Sequence, residues 1–230
     1  MQERSAHTRR KLVHAAAELI AHKGHAATSV DDISAAAGVT KGALYFHFAS
    51  KTELCSAVLH RGNEMLSELL RDLGAQHPSP LQNLIDSTHW LVHWFHVSPE
   101  IRASFRLTRE PVGPVPSDFY RAWLTLARTL LRQAGQAGEL SSQETELGQE
   151  TLIAAAVVGL EVMHSTSMRD KDMRAGVTAL WVFLLPLLVP PGAEKTYRTA
   201  APAGARLRRR LPEGAPASAR MLSAGSREVQ

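Results

Sequence analysis

Apolar residues recur along this chain at intervals of three and four, and nowhere do they alternate for long with β-branched enrichment. From Arg9 to Lys23, Leu12, Ala16, Leu19 and Ile20 fall on one stripe. That pattern predicts an amphipathic helix stopped by Gly24. Thr28 or Ser29 is placed to cap a short helix through Ala37, with Asp31 and Asp32 in its electropositive first turn. Gly38 ends that helix and Thr40 caps the next. "SKTE" at 50–53 then reads as a capping box that opens a long helix to about Leu73. After the break "GAQHPSP" (74–80), helical patterns resume at 81–97, 99–110, 117–137, 142–168 and 170–188. The predicted fold is all-α. Residues 1–50 form an N-terminal domain with a helix-turn-helix motif at 29–48, and residues 51–190 a larger helical domain for ligand binding and dimerisation.

Composition sharpens the limits. With 230 residues, 44% hydrophobic and 21% charged, the chain has the balance of a soluble globular protein. One cysteine, Cys55, excludes an internal disulfide framework and suits a reducing cytoplasm. No apolar core follows the basic N-terminus, so no signal peptide is expected. The apolar run Val177 to Val189 is too short to span a bilayer. Charge is uneven: residues 1–60 hold 7 Lys/Arg against 5 Asp/Glu, residues 61–190 hold 11 against 14, and residues 191–230 hold 8 against 3. Such asymmetry fits a chain with one end on a polyanion. Residues 191–230, rich in Ala, Pro, Gly, Ser and Arg, read as a disordered basic tail whose "RLRRR" (206–210) can add non-specific phosphate contacts.

The segment "VTKGALYFHFASKTEL" (39–54) carries the chemistry. In a helix-turn-helix the second helix enters the major groove and presents its first residues to base edges. Lys41, Gly42 and Ala43 are the first exposed positions after Thr40. Small side chains there let the backbone approach DNA, and the lysine offers a cation to guanine acceptors or a phosphate. Gly42 costs the helix about 1 kcal/mol relative to Ala, which favours close approach over helix stability. Leu44 and Phe48 share a face and pack inward, and Phe46 is assigned to the core with them. Tyr45 and His47 lie one turn beyond Lys41 and Ala43 and flank the groove, and Lys51 is a further phosphate candidate.

"SVDDISAAAGVTKGALYFHF" followed by "SKTEL" closely resembles the DNA-binding signature of TetR-family bacterial transcriptional regulators, over about residues 8–60. The resemblance implies a homodimer on a palindromic operator, usually a cytoplasmic, nucleoid-associated repressor. Its implied DNA contacts are Thr40, Lys41, Gly42, Ala43, Tyr45, His47 and Lys51. The segment is especially similar to the γ-butyrolactone autoregulator receptor branch. "SFRLTRE" (104–110) and "PSDFYRAW" (116–123) are similar to segments of that branch, and Trp123 takes the place of its pocket-lining tryptophan. The implied partners are therefore operator DNA and a small γ-butyrolactone-like effector. Val158 departs from the branch, which often has a hydroxyl just before the glycine of its eighth helix.

In the middle of the chain, helices 151–164 and 177–188 are apolar almost all round and so must be covered on two sides. Ala154–Ala156 and Gly159 allow close helix approach, and a four-helix contact with a second copy fits that pattern. Aromatics from Trp90 to Trp123 serve a core or an apolar ligand pocket, while Glu161 is a polar notch in an apolar helix. His89, His93 and His96, at i, i+4 and i+7 on one helix, offer the alternative of a metal-responsive regulator. No nucleophile–base pairing, phosphate loop or paired carboxylates with distinctive spacing appear. The expectation is a protein that is not an enzyme and needs no cofactor.

Overall fold

The computed structural model describes residues 2–76, 78–110, 119–141, 146–165 and 170–202, and among them every regular element is helical. The helices are α1 (Gln2–Lys23), α2 (Val30–Ala37), α3 (Lys41–His47), α4 (Lys51–Gln76), α5 (Pro80–Val97), α6 (Pro99–Arg109), α7 (Phe119–Gln136), α8 (Glu146–Ser165) and α9 (Asp170–Leu188). Their starts follow local chemistry. Ser29 accepts from the Asp32 amide at 3.0 Å and Asp32 answers on the Ser29 amide at 3.0 Å, so the cap of α2 is Ser29. Thr28 is instead buried and bonded to the Gly24 carbonyl. At α4, Ser50 accepts from the Glu53 amide while Glu53 accepts from the Ala49 amide. α1 begins seven residues before the helix expected from Arg9, because nothing in "QERSAHT" breaks a helix.

Two cores result. One gathers Leu12, Ala16, Ile20, Ile33, Leu44, Phe48 and Leu54 from α1 to α4. It does not stop near residue 50: Val58 and Leu59 of α4 and Ala103 and Leu107 of α6 complete it. The other gathers Leu84, Phe95, Phe119, Trp123, Val157 and Trp181 from α5 to α9. α5 is its central helix, packed against α4, α6, α7, α8 and α9. Even its polar residues Gln82, Asp86, Thr88 and His89 are buried. Burial of this kind demands partners, and the Trp181 indole accordingly donates to Thr88 Oγ1 at 2.7 Å.

α6 joins the two cores. Its first turn supplies Glu100, which accepts from His14 Nδ1 of α1 at 2.8 Å. At its last turn Arg106 donates to the Ala21 and His22 carbonyls, and Glu110 accepts from the His25 amide. Gly24 sits in this clasp with φ +87°, and a Cβ there would lie 2.8 Å from Arg106 and 2.9 Å from Glu110, so a larger residue would strain the backbone and displace that pair. Mid-helix, Gly62 of α4 faces Ser104 of α6 so closely that the two backbones depend on its missing side chain.

Beyond α9 the chain makes a 3-10 turn (Ala193–Thr196) and an extended run in which Arg198 and Thr199 bond to α5. Packing against α5 thus continues past the composition shift at residue 191. Residues 203–230, with "RLRRR", lie outside the described residues, as do 142–145, 166–169 and the side chain of Glu161. Among the described residues no helix is long and apolar enough to cross a membrane.

Candidate nucleic-acid interface

The sequence of α3 sets its two faces. Leu44 and Phe48, four apart, are 0% and 1% exposed and dock the helix on α1 and α4. The Arg9 guanidinium covers the Phe48 ring from outside, 5.0 Å from its centroid. The opposite face is open. Thr40 is exposed and its Oγ1 accepts from the Ala43 amide at 3.1 Å, which leaves its own hydrogen available to a phosphate. Gly42 is exposed, and a Cβ on it would meet only Thr40 Oγ1, at 3.9 Å. Ala43 and His47 are half-buried, while Tyr45 is 49% exposed.

One placement differs from the sequence reading, and the two lysines expected to contact DNA have protein partners here. Phe46 is 80% exposed, not core: it lies two residues from both Leu44 and Phe48, on the far side of the helix, with its edge on the His47 ring at 5.2 Å. The helical spacing already carried that signal. Lys41 is held by Asp31 of α2, with Nζ 2.8 Å from the carboxylate, and the hydrogen bond to Asp31 raises its pKa. Lys51 turns to the protein, donating from Nζ to the His25 carbonyl at 2.5 Å. It therefore ties α4 to the loop before α2. Of the expected DNA contacts, Thr40, Lys41, Gly42, Ala43, Tyr45 and His47 lie on the outer surface of α3, together with the exposed Phe46.

In the other half, Trp123 is fully buried, and its indole N–H has no partner among the described residues; the Trp90 N–H is in the same condition. A chain of edge-to-face rings leads from α7 to α6 and α5, with Phe119–Phe105 centroids 4.9 Å apart and Phe105–Phe95 4.8 Å apart. On α8 and α9, Leu152, Val158, Met163, Val182, Phe183 and Leu187 are exposed, Phe183 at 71%. Val158 belongs to this outer face.

Nothing among the described residues supports the metal alternative. His89 is buried and bonded to the Thr199 carbonyl at 2.7 Å, His93 is half-buried with its ring edge-on to Trp94, and His96 is exposed. Among the described residues no three His, Cys, Asp or Glu side chains gather where they could hold a metal ion. Cys55 is buried as well, and burial pushes its thiol up to about 11, which keeps it protonated and unreactive.

Residues 12–58 match the family of bacterial regulatory proteins described as the tetR family. The chain is 30% identical over 194 residues to the A-factor receptor protein of Streptomyces griseus, covering 83% of this chain and 67% of that one. Its fold is similar to the crystal structure of a γ-butyrolactone receptor described as ArpA-like, with a TM-score of 0.72, 30% identity and coverage of 84% and 94% of the two chains. It is also similar to CprB of Streptomyces coelicolor in complex with its biological operator sequence, with a TM-score of 0.74, 28% identity and coverage of 84% and 94%.

Proposed function

The chain belongs to the TetR family of bacterial transcriptional regulators, related to the γ-butyrolactone receptors, and from that premise we propose that it is a homodimeric repressor released from a palindromic operator by a γ-butyrolactone-like signal. Its relatives regulate transcription, and the chain is a regulator rather than an enzyme. The observation that carries the DNA reading is α3 itself: one face locked to the core, the other exposed, with a capped N-terminus, a glycine without internal need, a cation and an aromatic edge. In this reading Thr40, Tyr45, His47 and the first amides of α3 meet phosphates. Lys41 exchanges Asp31 for base edges or a phosphate, and Gly42 and Ala43 allow the backbone to come close. Lys51 contributes by fixing the turn, and its ammonium adds to the positive field. In this reading residues 51–190 serve ligand binding and dimerisation, and a DNA partner fits a cytoplasmic, nucleoid-associated protein.

The α8–α9 face supports dimerisation, because a second copy covers the apolar side chains that one chain leaves exposed. Two α3 helices then reach successive major grooves if their centres are about 34–36 Å apart. Trp123 supports the effector site: its buried indole N–H has no hydrogen-bond partner among the described residues, and a ligand carbonyl would supply one. An effector at Trp123 shifts Phe119 and, through Phe105, α6, whose clasp on α1 and contact at Gly62 pass the movement to the DNA-binding half. The effector must prefer the state that fits DNA poorly, and DNA then weakens effector binding by the same factor.

A gel shift on DNA flanking the protein's own gene, challenged with butyrolactone-type and furan-type signal molecules, tests the proposal. Trp123→Phe keeps the aromatic volume and removes the N–H. Operator affinity should stay within about twofold while the effector concentration for release rises about tenfold, the worth of one hydrogen bond. Release at the wild-type concentration removes Trp123 from the ligand site.

A further inference from the structure

The segment after α9 is held on α5 the way a receptor holds a peptide. Gln82 brackets Arg198 with both ends of its carboxamide: the Arg198 amide donates to Oε1 at 2.8 Å, and Nε2 donates to the Arg198 carbonyl at 3.0 Å. One turn on, Asp86 receives the Arg198 guanidinium at 3.0 and 2.8 Å through its two oxygens. At i+7 His89 meets the Thr199 carbonyl at 2.7 Å. A carbonyl only accepts, so Nε2 carries the hydrogen. Gln82, Asp86 and His89 are 3%, 4% and 4% exposed, on the central helix of the larger core. Apolar residues would fill that place if packing were all that mattered. A buried carboxylate that lost its guanidinium would keep the Gln82 Nε2 hydrogen bond at 2.9 Å but not its cation, at a cost well above that of any surface pair.

We propose that Gln82, Asp86 and His89 form a peptide-binding row on α5, and that residues 197–200 are its resident strap. The strap lies along the first half of α5 and restrains it. Because α5 packs against α7, which carries Trp123, and against α8 and α9, the strap sets how readily those helices part. Bracketing of main-chain N–H and C=O makes the site tolerant of side chains on either side. Its selectivity lies in the arginine that reaches Asp86.

The test needs neither operator nor effector, so it stands or falls apart from the function proposed above. In the full-length chain, Arg198→Ala should lower the melting midpoint by about 5 °C and speed amide hydrogen exchange over residues 84–92 by about tenfold. Asp86→Asn should do the same, and the double variant should be no worse than either single one, because both remove one interaction. A chain ending at Thr196 should bind a labelled peptide of residues 195–202, and an alanine in place of Arg198 in the peptide should weaken binding about tenfold. If the truncated chain does not fold, the full-length cycle decides alone. Additive losses in the cycle, unchanged exchange in α5, or equal binding of the two peptides would each overturn the strap.

Discussion

Two ion pairs of this protein have the same length and opposite surroundings. Lys41–Asp31 and Arg198–Asp86 each close to 2.8 Å, but the side chains of the first pair are 52% and 70% exposed and those of the second 38% and 6%. The exposed pair is in water, screened by salt and easily exchanged. In the second pair the carboxylate has no solvent to fall back on. Distance therefore says nothing about role here, and burial decides it. The pair on the DNA-facing half can give its cation to a polyanion, while the one in the larger domain holds the fold. Exposed aromatics repeat the lesson: Phe46 stands out on α3 with its ring against His47, and Phe183 on the face that also exposes Val182 and Leu187.

The sharpest way to break this comparison is at Phe183. If a second copy covers the α8–α9 face, Val158→Glu with Phe183→Glu puts charges inside an apolar contact. The protein should sediment as a monomer, and operator affinity should fall more than about 100-fold, since each half-site must then be bound alone. Melting of the monomer should stay cooperative, because both positions point away from the core. A dimer that persists at micromolar concentration would mean that α8 and α9 do not pair.

What the sequence made legible was local. The caps at Ser29, Thr40 and Ser50–Glu53 lie within four residues of what they bind, so pattern and chemistry coincide. The inward face of α3 followed from Leu44 and Phe48, but Phe46 was swept into the core by its aromatic character, although helical angle put it outside. His89 shows the other limit. Its spacing from His93 and His96 invited a metal, whereas its partner is a carbonyl 110 residues away. No period in a sequence reports such a contact. For the same reason the composition shift at residue 191 gave no sign of the segment that Asp86 holds.

Two glycines inside helices extend the comparison to the backbone. A Cβ on Gly62 would collide with Ser104 Oγ and stand 3.1 Å from the Ser104 Cβ, so α4 and α6 must part to admit it. Gly62→Ala should cost about 1–3 kcal/mol in denaturant unfolding, the usual penalty of overpacking. Gly42 has open space instead, and Gly42→Ala should stabilise α3 by up to about 1 kcal/mol while weakening the operator complex. A protein made more stable and no weaker on DNA would show that the helix start does not press against the groove.

The smallest effect belongs to the exposed pair. Asp31→Asn frees Lys41 and removes a negative charge from the surface that faces DNA, yet it leaves every buried contact in place. Melting should not move, and operator affinity should rise about two- to threefold at low salt, with the gain fading as salt screens it. Lys41→Ala should weaken binding and relax base preference. Lys51→Ala should weaken all sequences alike, by loosening the His25 turn that Lys51 now holds. The informative outcome is a fall in affinity for Asp31→Asn. It would mean that the carboxylate aims Lys41 rather than restrains it, and the surface pair would then depend on one geometry as much as the buried pair does.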